Sequence, residues 1–187
     1  NNFLNLIGEG NSHMIIWITG LSGAGKSTIA NEVVKNLRDS SQPCILLDGD
    51  KIRKAIEDPH VHYDYQSRLT CAKRISRLAQ MLEQENIWVV VATISLFKDI
   101  HSWNRFNFKD YIEVYIRVDL EILKGRDSKA LYSRANKGEV SNVAGIHHQI
   151  QEPENPDLII ENNLPLADFS TFAKKIISLT KKDIPLP

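Results

Sequence analysis

A three-layer α/β sandwich built on a mainly parallel five-stranded sheet is the fold this sequence predicts, and three observations predict it. Short apolar and β-branched runs alternate with longer stretches of helical period, which is the pattern of βαβ units. The first run, at 14–19, passes straight into a glycine-rich turn and then a helix. Acidic, hydroxyl and basic residues recur just after the runs, where ligands gather in a parallel sheet.

Residues 1–13 are rich in Asn and Gly and end on Ser12-His13 before Met14, so they read as an N-terminal extension or a cloning scar. The domain is expected to span 14–187. Strands are expected at 14–19, 44–47, 88–92, 111–118 and 158–161, each a compact apolar run. A helix carries on from Thr28 through Val34. Residues 66–85 place Leu69, Ala72, Ile75, Leu78, Ala79 and Leu82 at three- and four-residue steps, the stripe of an amphipathic covering helix. A last helix over about 166–181 repeats that spacing through Phe169, Phe172, Ala173, Ile176, Ile177 and Leu179. The segment 126–146 is polar, basic and glycine-punctuated.

With 187 residues, of which 42% are apolar, the chain has enough material for one substantial core. Its formal net charge is zero, which argues against a broad nucleic-acid or anionic-membrane surface and for a small-molecule partner. Cys44 and Cys71 have no spacing that suggests a disulfide framework or zinc site. No apolar run approaches the roughly 20 residues that cross a bilayer, and no signal peptide is legible, so a cytoplasmic location is expected.

The turn after the first strand reads Gly20-Leu21-Ser22-Gly23-Ala24-Gly25-Lys26-Ser27, a full match to G-x-x-x-x-G-K-[ST]. Its backbone N–H groups and the helix start suit a polyphosphate, with Thr28 continuing the cradle. Lys26 reaches the β- and γ-phosphates of a nucleotide such as ATP, and the Ser27 hydroxyl suits the accompanying Mg2+. The fold is therefore of the P-loop NTPase/nucleotide-kinase type. Neither N-K-x-D nor D-x-x-G, the usual GTPase motifs, is present, and a small-molecule kinase is favoured. Asp48 and Asp50, after the second strand, supply an acidic pair able to hold magnesium-bound water and accept a hydroxyl proton. The histidines His60, His62, His147 and His148 lie in polar loops without a zinc-type spacing, so no metal site is read from them. Trp88 and Trp103 read as packing residues.

The phosphate-loop motif, L-D-G-D-x-I-R at 47–53, I-S-x-F at 94–97, R-D-x-K-x-L-Y at 126–132 and G-E-V-x-N-x-x-G-I at 138–146 occur in the order found in adenylylsulfate kinases, and the chain resembles that family over nearly the whole domain. The resemblance implies transfer of the γ-phosphate of ATP, with Mg2+, to the ribose 3′-hydroxyl of adenylylsulfate. It implies Asp50 as base and magnesium ligand with Asp48 in support, and a lid at about 126–146 whose closure excludes water and brings in Arg126, Lys129 and Arg134. Arg53 and Arg68 match arginines that hold the acceptor's phosphate and sulfate. Ile94, Ser95, Phe97, Leu131 and Gly145 match further acceptor-side positions. Ser95 matches a serine described in the family as a phosphoserine intermediate; direct in-line transfer needs no such relay, and a substrate hydrogen bond is the simpler role. A homodimer is also implied.

Departures gather on the acceptor side. Where the family has D-R-x-x-N-I-x-R, the chain reads Ser67-Arg68-Leu69-Thr70-Cys71-Ala72-Lys73-Arg74, so Cys71 replaces an asparagine. Tyr63 stands for an expected phenylalanine, and Val143 replaces a lid phenylalanine. The family's D-D-P-Y-E-x-P becomes His147-His148-Gln149-Ile150-Gln151-Glu152-Pro153. Such a rebuilt base pocket fits a different 5′-activated nucleotide, and a kinase of cytidine diphosphoramidate from capsule biosynthesis is the alternative expectation. A nucleotide sensor without turnover is the alternative of another class; retention of Lys26, Ser27, Asp48, Asp50, Arg53 and Lys129 argues against it.

Overall fold

The computed structural model describes residues 14–56, 64–127, 130–164 and 168–180. In chain order these form β1 (Ile15–Thr19), α1 (Lys26–Asp39), β2 (Cys44–Asp48), α2 (Gly49–Ile56), α3 (Tyr65–Gln84), β3 (Trp88–Thr93), α4 (Lys98–Asn107), β4 (Tyr111–Arg117), α5 (Leu120–Arg126), α6 (Leu131–Asn136), β5 (Leu158–Glu161) and α7 (Phe169–Ser178). The strands lie side by side in the order β2-β3-β1-β4-β5, and every neighbouring pair is parallel.

Because the sheet is covered on both faces, its strands are mostly apolar rather than alternating with polar residues, with the buried Glu113 of β4 among the exceptions. The side chains still alternate in direction. Ile16 and Ile18 of β1, with Val90 of β3 and Val114 of β4, pack on Ile29, Val33 and Leu37 of α1 and on Ala173, Ile176 and Ile177 of α7. Ile15 and Trp17, with Val89, Val91 and Leu47, face Leu69, Ala72, Ile75 and Ala79 of α3 and Ile100 of α4. Adjacent strands β1 and β3 thus feed helices on opposite faces of the sheet, which opens a crevice at their carboxyl ends.

All five expected strands are present, displaced at their ends by a residue or so. Asp48 belongs to β2, and Asp-Gly-Asp is the start of a helix because the Asp48 carboxylate accepts the N–H groups of Asp50 (3.0 Å) and Lys51 (3.2 Å). Helix α3 begins at Tyr65 after Asp64 caps it by accepting the Ser67 N–H at 2.9 Å. Helix α7 starts at Phe169 for the same reason, with Asp168 accepting from Thr171 at 3.0 Å.

A polar seam pins α4 to β4. The buried Glu113 carboxylate lies 2.6 Å from His101 Nδ1, accepts the Tyr111 hydroxyl at 3.1 Å and pairs with Arg105 at 3.4 Å. Arg105 also bonds Asp157 at 2.9 Å, and Asp157 accepts the Glu113 N–H at 2.8 Å. One buried carboxylate, Glu113, with Arg105 and Asp157 at the surface, therefore joins α4, β4 and the approach to β5.

Candidate active site

A cleft of about 1020 Å³ opens where the crevice predicts, over the carboxyl ends of β1, β2, β3 and β5. Its floor is the phosphate loop. Gly20 has φ +151°, and a Cβ there would stand 2.5 Å from the Ile116 carbonyl oxygen, so only glycine lets β1 turn this close to β4. Gly25 has φ +96° and would place a Cβ 3.0 Å from Asn162 Nδ2 and 3.1 Å from Phe169. It precedes α1 without any side-chain cap, an arrangement of helix start that suits an anion.

Ser22, Gly23, Gly25, Lys26, Ser27 and Thr28 line the cleft. Gly20, Leu21 and Ala24 are buried behind them and serve the loop's shape. Lys26 Nζ donates to the Leu21 carbonyl at 2.7 Å, folding across its own loop. The Ser27 hydroxyl donates to Asp48 Oδ2 at 2.7 Å. Asp48 also lines the cleft but is only 9% exposed, and its other oxygen caps α2, which gives it a positioning role. Asp50 is exposed at the start of α2 and lines the cleft, so of the acidic pair it is the carboxylate more open to a substrate. Ser27 and the two carboxylates offer hard oxygen donors of the kind that magnesium takes while keeping most of its water. Among the described residues no group of three or more His, Cys, Asp or Glu converges as a metal cage.

Arg53, Arg68 and Cys71 reach the same cleft from α2 and α3, and Ile94, Ser95 and Phe97 reach it from the segment after β3. Arg126, Leu131, Arg134 and Val143 come from the lid side. Gly145 stands back, packed on Leu21. Lys129 and Tyr63 lie outside the described residues, as do His60 and His62. The segment expected to form a lid is tied down at several points among its described residues. Arg68 donates to the Asn142 carbonyl, His148 Nε2 meets Asn142 Oδ1 at 2.9 Å, and the Tyr132 hydroxyl donates to the Ser22 carbonyl at 2.8 Å. Burial, with help from the Asp127 charge, pushes the Tyr132 hydroxyl up to about 12 and so keeps that donor protonated. Hydrogen bonds from Ser133, the side chain foremost, and from the Tyr132 N–H hold the Asp127 carboxyl below its ordinary value.

Sequence reasoning missed the wall after β5. Asn162 is buried, donates to the Ala24 carbonyl at 2.9 Å and lines the cleft with Leu164 and Phe169. Its place just beyond a strand's carboxyl end was the available signal. Asp119 also follows a strand, yet it bonds Asn163 and stays out of the cleft lining.

The adenylylsulphate kinase family model matches residues 12–161, most of the chain and every element from β1 to β5. The chain belongs to the adenylylsulfate kinase family. Among relatives, it is 39% identical over 153 residues to the cytidine diphosphoramidate kinase of Campylobacter jejuni, covering 82% of this chain and 88% of that protein. It is 34% identical over 155 residues to the adenylyl-sulfate kinase of Gloeothece citriformis, covering 83% and 88%. Among solved structures, the Mycobacterium tuberculosis APS kinase CysC, in complex with AMPPNP and APS, superposes with a TM-score of 0.83 at 29% identity, covering 91% of this chain and 99% of that one. The shikimate kinase of Aquifex aeolicus, at 16% identity and TM-score 0.51, shares the fold alone. As a member of this family the chain is a P-loop kinase. No helix of the described residues is long and apolar enough to cross a membrane.

Proposed function

We propose that this kinase moves the γ-phosphate of ATP onto the ribose 3′-hydroxyl of a cytidine 5′-diphospho derivative, with cytidine diphosphoramidate as the acceptor. The observation that carries the choice of acceptor is the wall of the cleft. Cys71 on α3 (8% exposed) and Val143 on the lid (2% exposed) both line it, at the positions where adenylylsulfate kinases resembling this chain carry an asparagine and a phenylalanine. The loss of an amide and of an aromatic ring removes contacts suited to adenine, and a relative named for the cytidine compound stands at 39% identity. Adenylylsulfate is the second reading; it is favoured by Arg53 and Arg68, which line the same cleft.

In this reading Lys26 and the α1 N-terminus hold the β- and γ-phosphates, and Arg126 and Arg134 approach them from the lid. Asp50 accepts the proton of the attacking hydroxyl, a role suited to an exposed carboxylate. Asp48 holds Ser27 and α2 in register with it. Magnesium at Ser27 and Asp50 would neutralise charge on the transferring phosphoryl group. The homodimer implied by family resemblance and the cytoplasmic location expected from the sequence belong to the same proposal, and sedimentation equilibrium reads the first.

The test is phosphate transfer from ATP with magnesium to cytidine diphosphoramidate, or to CDP as its surrogate, beside adenylylsulfate, with Asp50→Asn as control. Turnover of the cytidine compound alone supports the proposal. Turnover of adenylylsulfate alone replaces it with the second reading, and turnover of neither would return the chain to a sensor role.

A further inference from the structure

Trp17 is the largest wholly buried side chain of the sheet, and its one polar atom is aimed at the active site. From the middle of β1 its indole Nε1–H donates to Ser95 Oγ at 3.1 Å, between residues 78 apart in sequence. Ser95 is 3% exposed and lines the cleft. An indole nitrogen can only donate, whereas a hydroxyl has one O–H to give and two lone pairs to receive. The Trp17 bond therefore uses a lone pair of Ser95 and leaves the O–H to find an acceptor. The carbonyls of residues 94–96, its own and its two chain neighbours', each already accept another donor. Ile94 O accepts the Thr19 hydroxyl at 2.7 Å, Ser95 O accepts the Phe97 N–H at 2.9 Å, and Leu96 O accepts the Gln151 N–H at 3.1 Å.

We propose that Trp17 is a positioning residue: its indole N–H fixes the Ser95 hydroxyl as a hydrogen-bond donor into the acceptor half of the cleft, where it takes an anionic oxygen of the acceptor nucleotide's 5′ group. This rests on the kinase reading above but not on which of its two acceptors is correct. It also sets Ser95 apart from a covalent phosphate carrier. Attack by Oγ on a phosphorus atom needs a base for its proton, and among the described residues no carboxylate or imidazole is bonded to Ser95; its recorded side-chain partner is a donor.

Two conservative variants test the assignment. Ser95→Ala removes the hydroxyl, and Trp17→Phe keeps a buried ring while removing the N–H. Each is expected to raise the KM for whichever acceptor is turned over, Ser95→Ala by about tenfold as befits a lost hydrogen bond to a charged group, with the KM for ATP unchanged. In the double variant Trp17→Phe adds nothing, because the two residues act through one hydroxyl. Independent, multiplying losses, or equal losses for ATP and acceptor, would show Trp17 to be packing alone and overturn the inference. A second readout covers a Trp17→Phe protein that folds poorly. In 15N–1H spectra of the otherwise wild-type protein, with the Trp17 indole resonance assigned by Trp88→Phe and Trp103→Phe, Ser95→Ala should shift that resonance and speed its exchange; an unmoved resonance overturns the inference. Were neither nucleotide phosphorylated by the wild type, the kinase reading would fall while the indole resonance still decided the Trp17–Ser95 bond.

Discussion

At the scale of single residues, the cleft separates groups that hold from groups that act. Asp48 and Asp50 are two residues apart and chemically identical, yet Asp48 has both oxygens occupied by Ser27 and the start of α2 while Asp50 is exposed to the cleft. Asp50→Asn should therefore lower kcat by about 10²- to 10⁴-fold, the usual worth of general-base catalysis, with thermal stability unchanged. A loss of stability comparable with that of Asp48→Asn would instead make Asp50 structural. Gly25 gives the opposite kind of test. Its φ of +96° and the 3.0 Å approach to Asn162 leave no room for a methyl group, so Gly25→Ala should cost about 1–3 kcal/mol from backbone strain alone. It should also weaken ATP binding, as isothermal titration would record, because the strained loop is the phosphate cradle. The glycines and Asp50 were legible in the sequence because their spacing carries the chemistry. Asn162 and Trp17 were not, since each acts on a partner more than 70 residues away that only the fold brings near.

At the scale of elements, the strands were legible because a sheet covered on both faces is made of mostly apolar runs. Their ends were set instead by local hydrogen bonds, such as the Asp48 cap that turns Asp-Gly-Asp into the first turn of α2. What fixes α4 was hidden, for His101, Arg105, Glu113 and Asp157 show no motif and meet only when α4 packs on β4. Glu113→Ala leaves the buried His101 and Tyr111 without their shared acceptor, and the loss should be about 3 kcal/mol. For a chain of this size that lowers Tm by roughly 6–12 °C in calorimetry. The lid contributes a pH effect through Tyr132. An unfolded tyrosine ionises near pH 10, whereas the folded Tyr132 is pushed up to about 12 by burial and by Asp127. Its contribution is complete below pH 10 and is lost as pH climbs from 10 toward 12, since the unfolded chain releases its proton first. Tyr132→Phe should flatten the fall of stability over that window without abolishing it, because burial also holds up Tyr111 and Tyr115. An unchanged slope would remove Tyr132 from the account.

At the scale of the whole molecule, the phosphate loop is the point where distant parts of the chain converge. Asn162 after β5 grips the Ala24 carbonyl, Tyr132 of the lid grips that of Ser22, Asp48 of β2 takes the Ser27 hydroxyl, and Gly20 rides against β4. An anion seated there is bound by a structure that exists only when all of these elements are assembled, so its binding energy adds to folding stability. At a hundred times its dissociation constant, ATP should stabilise the protein by about 2.7 kcal/mol. At roughly 2–4 °C per kcal/mol for a domain of this size, Tm should rise by about 5–11 °C. Lys26→Ala should abolish most of that rise while leaving the ligand-free Tm nearly unchanged, since Lys26 contributes to the loop a bond to its own Leu21 carbonyl and to the ligand a full charge. Asn162→Ala should do the reverse: it removes a buried loop anchor, lowers the ligand-free Tm, and leaves a shift with ATP that is reduced in proportion to the fraction of loops still formed. If the two variants behaved alike, the loop would be held by its ligand rather than by the fold, and the convergence of four elements on it would carry no energy.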